Sequence, residues 1–174
     1  MMTDEQLMLD FQRGSKEAFT ELFARYREPV FGFFRRRLAD AARAEELAQE
    51  TFLAVLRAVA RYEPRASFRT YLYGIASIQL LAERRKGAQR LAILDLAPAD
   101  PATASDPEAT VEVREAFEKL GPDEREVLML REYEQLSYAE IGALQRVPVN
   151  TVRSRLFRAR QSLKDLLMSP RGVK

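Results

Sequence analysis

Arg146, Arg153, Arg155, Arg158, Arg160 and Lys164 lie within nineteen residues that contain no acid. Cationic groups at this density bind phosphates, and the arginine fork also pairs with the edge of guanine. Spacing sorts this segment into two sides. Val152, Leu156, Ala159, Leu163 and Leu166 recur at steps of four and three, so they line one side of a helix. Arg153, Ser154, Phe157, Arg158 and Gln161 fall on the opposite side, with Arg155 and Arg160 on the flanks. Such a helix packs on its own domain with one face and offers arginines to a nucleic-acid groove with the other. A second cluster comprises Arg84, Arg85, Lys86 and Arg90, whereas Asp95 to Glu112 carries only acids. The formal net charge is only +2, so distribution rather than sum carries the signal. A charge run is by default a solvated helix face. Two basic clusters separated by an acidic connector point beyond that default.

The absent residues narrow the chemistry. There is no cysteine and no histidine. Disulfides, thiolate chemistry, Cys/His metal sites and the commonest general base are excluded together. No Gly-rich phosphate loop, DxD or GxSxG turn occurs. The sequence therefore predicts neither an enzyme nor a cofactor, metal or small-molecule substrate. Hydrophobic residues at 47% suffice for packed cores. No apolar run approaches the roughly 20 residues of a membrane span, and no basic-then-apolar segment opens the chain. A cytoplasmic location is expected.

The elements that must position these residues read as all-α. LSYAEIGALQ, RVP and VNTVRSRLFRARQSLKDLL give two amphipathic helices around a turn of about three residues, the layout of a helix-turn-helix. Ser137 with Glu140 forms a capping box for the first of them. Gly121-Pro122 ends an earlier helix near 107–120, and Pro122 suits the first turn of the next. In the N-terminal half, Thr3 with Gln6, then Ser15, Asp40 and Ser67 are expected to start helices. Pro29 predicts a kink or restart near Glu28. Phe68, Leu72 and Ile75 are expected in the core, and the loop from Tyr62 to Ser67 on the surface. Pro98, Pro101 and Pro107 make 93–110 an acidic, flexible linker between a domain over 1–92 and one over 111–174.

Four stretches in this order resemble the extracytoplasmic-function group of the sigma-70 family. They are AFTELFARYREPVFGFFRRRL from Ala18, EELAQETFLAVLRAVARY from Glu45, FRTYLYGIASIQLLAERRK from Phe68 and the segment from Leu120 to Leu167. A helix-turn-helix alone is common to many regulators; the four together, split by a linker, are specific. The resemblance implies a sigma-2-like helical bundle and a sigma-4-like helix-turn-helix domain joined by a flexible linker. It also implies an alternative sigma factor that binds core RNA polymerase, directs it to −35 and −10 promoter elements and promotes DNA opening. The implied partners are core RNA polymerase, promoter DNA and an anti-sigma factor, with a monomer when free of them.

The resemblance also implies roles for particular residues. Glu46, Gln49, Glu50, Phe52 and Leu53 would face the polymerase. Tyr62, Arg65, Ser67, Tyr71, Ser77, Ile78, Arg84, Arg85 and Lys86 would serve the −10 element, by stacking of unpaired bases and by phosphate contacts. Arg146, Asn150, Thr151, Arg153, Ser154, Arg155 and Arg158 would serve the −35 element, Arg155 together with Arg160 through phosphates. The chain departs from the family pattern at Ser77-Ile78, where an Arg-Asn pair is usual, and at Ala82, often Asp. Unusual −10 bases or greater reliance on the loop would follow. Glycine is usual at Arg146 and Asn150; Asn150 is expected to help cap the new helix, and Arg146 to occupy a turn conformation that glycine adopts more easily. Two other readings fit the residues less well. An autonomous helix-turn-helix regulator leaves the QETF surface without a role. A sigma-like decoy for an anti-sigma factor leaves the basic helix without one.

Overall fold

Short polar side chains start each helix of the N-terminal half by accepting bonds from its first free amides. In the computed structural model, which describes residues 1–94 and 110–169, Thr3 and Gln6 close a reciprocal capping box at the start of α1 (Asp4–Gln12). Ser15 accepts from Ala18 N at 3.3 Å to open α2 (Lys16–Arg35). Asp40 accepts from the amides of Ala42 and Arg43 at the head of α3 (Ala41–Ala58). A 3-10 turn follows at Val59–Arg61. Ser67 then accepts from Thr70 N at 3.2 Å to open α4 (Phe68–Ile93). The restart expected near Glu28 does not occur: α2 runs unbroken through Pro29. Pro29 is exposed, so water can satisfy the carbonyl it leaves unbonded one turn earlier.

These helices form one unit, Met1–Ala104. α2 packs against α1 and α3, and α3 against α4. The interior holds Leu22, Val30, Phe33 and Phe34 from α2, Leu47 and Val55 from α3, and Phe68, Leu72, Tyr73 and Ala76 from α4. Each of the Leu, Val and Phe side chains contributes about 1.5–3 kcal/mol by leaving water. Arg37 is buried with them; its guanidinium lies 3.8 Å over the Phe33 ring and donates to the Phe33 carbonyl. Phe68 and Leu72 are core as expected, whereas Ile75 is only half-buried.

The second unit is Ser105–Lys174. Thr110 caps α5 (Val111–Glu118), Pro122 occupies the first turn of α6 (Pro122–Glu132), and the Ser137–Glu140 capping box opens α7 (Tyr138–Gln145). α8 (Val149–Met168) packs against all three. Arg125 donates to the carbonyls of Phe117, Glu118 and Leu120, tying the end of α5 to α6. The linker expected at 93–110 falls, from 95 to 109, outside the described residues, while residue 93 is the last of α4. No strand occurs among the described residues, and no helix there is long and apolar enough to cross a membrane.

Candidate nucleic-acid and partner interfaces

The turn between α7 and α8 depends on two backbone features. Arg146 ends α7 at φ 57°, ψ 44° and its amide donates to Gly142 O. This left-handed conformation costs a residue with a β-carbon roughly 1 kcal/mol. A β-carbon on Gly142 would lie 2.9 Å from the Val147 carbonyl oxygen, so only glycine lets the turn close this tightly. Val152, Leu156 and Ala159 are buried, as their spacing predicts. Arg153 and Arg158 are exposed, and Arg153 donates to Asn150 Oδ1 at 3.2 Å. Asn150 does not cap the helix as expected. Pro148 holds the cap position with no side-chain bond, leaving Asn150 inside the first turn. Arg155 donates to Gln145 across the turn at 3.3 Å, and Arg160 pairs with Glu132 of α6 at 3.1 Å. Tyr138 and then Glu132 raise the Arg160 pKa above its ordinary value. Phe157 is 70% exposed between these arginines. It lines a shallow groove of about 320 Å³ with Tyr138, Arg153, Arg160, Gln161 and Lys164. Thr151 is half-buried and Ser154 exposed, its hydroxyl donating to Thr151 O.

The loop before α4 is held from behind by α1. Gln12 Nε2 donates to the carbonyls of Val59 (2.9 Å) and Tyr62 (3.1 Å), and Glu5 accepts from Phe68 N at 2.7 Å. Glu63 to Ala66 are exposed, Arg65 pairing with Glu63. Tyr62 does not face outward as expected. It is 5% exposed, packs edge-on against Tyr71 with centroids 5.1 Å apart, and burial pushes its phenol pKa up to about 12. A ring covered in this way cannot receive a base. Ser67 is occupied by its cap and by Thr70 Oγ1. Tyr71 stays half-exposed, with its pKa also raised by burial. Farther along α4, Ser77 is half-buried, Ile78 is 71% exposed, Leu81 is exposed, and Arg84, Arg85 and Lys86 follow on the exposed end.

On α3, Glu46, Gln49, Glu50 and Leu53 are exposed. Phe52 is not: at 5% exposure it belongs to the core, its ring meeting Phe23 edge-on at 4.9 Å. Phe52 forms the floor of a groove of about 370 Å³ between α2 and α3, lined also by Phe23, Arg27, Phe31, Ala48 and Gln49. Phe23 supplies the exposed apolar rim of this groove, and Leu53 and Leu56 are exposed elsewhere on α3. Sequence reading missed Phe23 on this rim because a core stripe and an exposed aromatic share one helical period. Arg43 was missed as well. Its Nη1 donates to Glu46 (2.7 Å) and Glu50 (3.2 Å), and its Nη2 to Glu83 of α4 (2.8 Å).

Comparison with known proteins places this geometry. A family model described as Sigma-70 region 2 matches residues 22–90, and one described as Sigma-70, region 4 matches residues 110–163. The RNA polymerase sigma-H factor of Pseudomonas aeruginosa is 34% identical over 181 residues, covering 94% of this chain and 93% of the relative. The ECF RNA polymerase sigma-E factor of Escherichia coli K12 is 32% identical over 180 residues, with 94% of each covered. Among solved structures, CnrH in complex with the cytosolic domain of CnrY matches at a TM-score of 0.71 and 25% identity, over 94% of this chain and 96% of that one. Both regions, in this order and over nearly the whole length of such relatives, make the chain a member of the sigma-70 family of RNA polymerase sigma factors, in its extracytoplasmic-function group.

Proposed function

We propose that this alternative sigma factor divides its work among three faces. The exposed rim of α3, with Glu46, Gln49, Glu50 and Leu53 beside Phe23 and Leu56, docks on core RNA polymerase. Exposed carboxylates with apolar side chains among them suit a partner helix pair that carries arginines. Phe52 supports this rim from beneath. The exposed loop with Arg65, and α4 with Tyr71, Ser77, Ile78, Arg84, Arg85 and Lys86, serve the −10 element. There an unpaired base meets Tyr71 or Ile78 and the cations hold the backbone. The helix-turn-helix reads the −35 element through Arg153, Ser154 and Arg158, with Asn150 and Thr151 at the head of α8. Arg146, Arg155 and Arg160 serve phosphates, which position the helix rather than specify bases. Phe157 adds an apolar surface of the kind that meets a thymine methyl. The domains over 1–92 and 111–174 act as tethered readers, in the cytoplasm, under an anti-sigma partner that covers these faces. The chain supplies recognition and opening, and the polymerase supplies catalysis.

One observation carries this reading: α8 buries Val152, Leu156 and Ala159 while Arg153, Phe157 and Arg158 stand exposed. The test is co-purification with bacterial core RNA polymerase. The native chain is expected to bind. Glu46→Arg should abolish binding, and Leu53→Ala should weaken it about tenfold, the cost of roughly 1.4 kcal/mol of contact. Retention by Glu46→Arg, with its fold intact by circular dichroism, would remove the polymerase role from α3.

A further inference from the structure

Arg43 stands where two of these faces meet. It is a quarter exposed and faces three carboxylates with one guanidinium. One nitrogen serves Glu46 and Glu50, both exposed on α3, and the other serves Glu83 on α4. Glu83 is the lone acid of the basic stretch from Gln79 to Arg90. It immediately precedes Arg84, Arg85 and Lys86, so its bond to Arg43 ties the start of that cluster to α3. Another side-chain tie between α3 and α4 runs from Thr51 to Gln79 at 2.6 Å, one turn nearer the middle of α4. Hydrogen bonding from Arg43 lowers the Glu83 pKa. Bonding to Glu83 and then Glu46 raises that of Arg43. Both shifts mark a pair held in its charged form.

We infer that Arg43 is a positioning residue that couples polymerase docking on α3 to the placement of the DNA-opening end of α4. The inference rests on the polymerase-facing reading of α3. A partner cation that takes Glu46 or Glu50 competes with Arg43 Nη1 for the same oxygens. The guanidinium is then left to Glu83, and the tie to α4 tightens as the polymerase docks. Coupling of this kind is reciprocal: whatever holds Arg43 on its own carboxylates weakens the partner's grip on them.

The reciprocity gives a signature that a merely structural bridge would not produce. Arg43→Gln frees Glu46 and Glu50 but unties α4. Core RNA polymerase should bind it as tightly as the native chain or up to about threefold more tightly, while promoter opening falls about three- to tenfold. Glu83→Gln also unties α4 but leaves Arg43 wholly on Glu46 and Glu50. Core binding should weaken about two- to threefold, with a similar loss of opening. In the Arg43→Gln background, Glu83→Gln should leave core binding unchanged, because no competitor remains. Core affinity is read by titrating labelled sigma factor with bacterial core RNA polymerase. Opening is read at saturating holoenzyme by permanganate reactivity of −10 thymines, on a promoter selected from a randomised duplex library by the native holoenzyme. Parallel losses of core binding in both single variants, or opening unchanged in both, would overturn the inference while leaving the polymerase face of α3 standing. Full core binding by Glu46→Arg in the same titration would remove that face, and the coupling with it.

Discussion

Arg146 illustrates a side chain kept at a conformational cost. Its φ of 57° is a glycine-like conformation, and its side chain is exposed. Arg146→Gly should raise the stability of the helix-turn-helix unit by about 1 kcal/mol, measured by thermal unfolding. It should also weaken −35 DNA binding and reduce the salt slope by about one phosphate. Greater stability with unchanged DNA binding would show that the charge does no work at the groove. At this scale the sequence was legible where one mechanism dominated. The buried Val152, Leu156 and Ala159 of α8 and its exposed arginines followed from spacing, and the left-handed turn at Arg146 from the family resemblance. Tyr62 and Phe52 did not, because an aromatic residue near a basic loop or an acidic stripe packs inward or outward according to tertiary partners. Tyr71 covers the one and Phe23 the other.

Helix starts were legible because capping is local chemistry: Thr3, Ser15, Asp40, Ser67 and Ser137 each accept the bonds expected of them. The interruption at Pro29 was not. Its effect depends on exposure, which a single helix does not encode. Nor was the tie between Arg43 and Glu83, which are forty residues apart and share no pattern. That tie predicts a pH dependence. Arg43 holds the folded-state pKa of Glu83 below its ordinary 4.5, so its contribution is present above that value and is lost as pH falls through the lower folded-state one. Glu83→Gln should cost roughly 1 kcal/mol at pH 7, the scale of a partly exposed ion pair. Denaturant titrations of native and variant protein should converge as pH drops below the folded-state value. A deficit that persists undiminished at acid pH would assign the loss to packing rather than to charge.

For the whole molecule, the proposed function puts a DNA-reading surface on each of the two units. On the proposed reading the exposed cations of α8 and of the end of α4 engage phosphates, whose binding is driven by counterion release and therefore falls steeply with salt. Each phosphate contact contributes about −0.9 to the slope of log K against log salt. The free chain is thus expected to bind promoter duplex weakly, losing affinity about as the power of its phosphate contacts between 50 and 200 mM salt. Core RNA polymerase should convert these weak contacts into a specific complex by holding both readers at once, since a second tethered contact gains from effective concentration. Arg153→Ala or Arg158→Ala should then cost roughly 1–3 kcal/mol in use of the −35 element. Core binding should be untouched, because both residues lie in the other unit from the α3 rim. Fluorescence anisotropy of labelled promoter duplex across a salt series, with and without core polymerase, separates the two effects. Tight, salt-insensitive binding by the free chain would contradict this division. Loss of core binding in either arginine variant would place polymerase contacts on α8 as well as on α3.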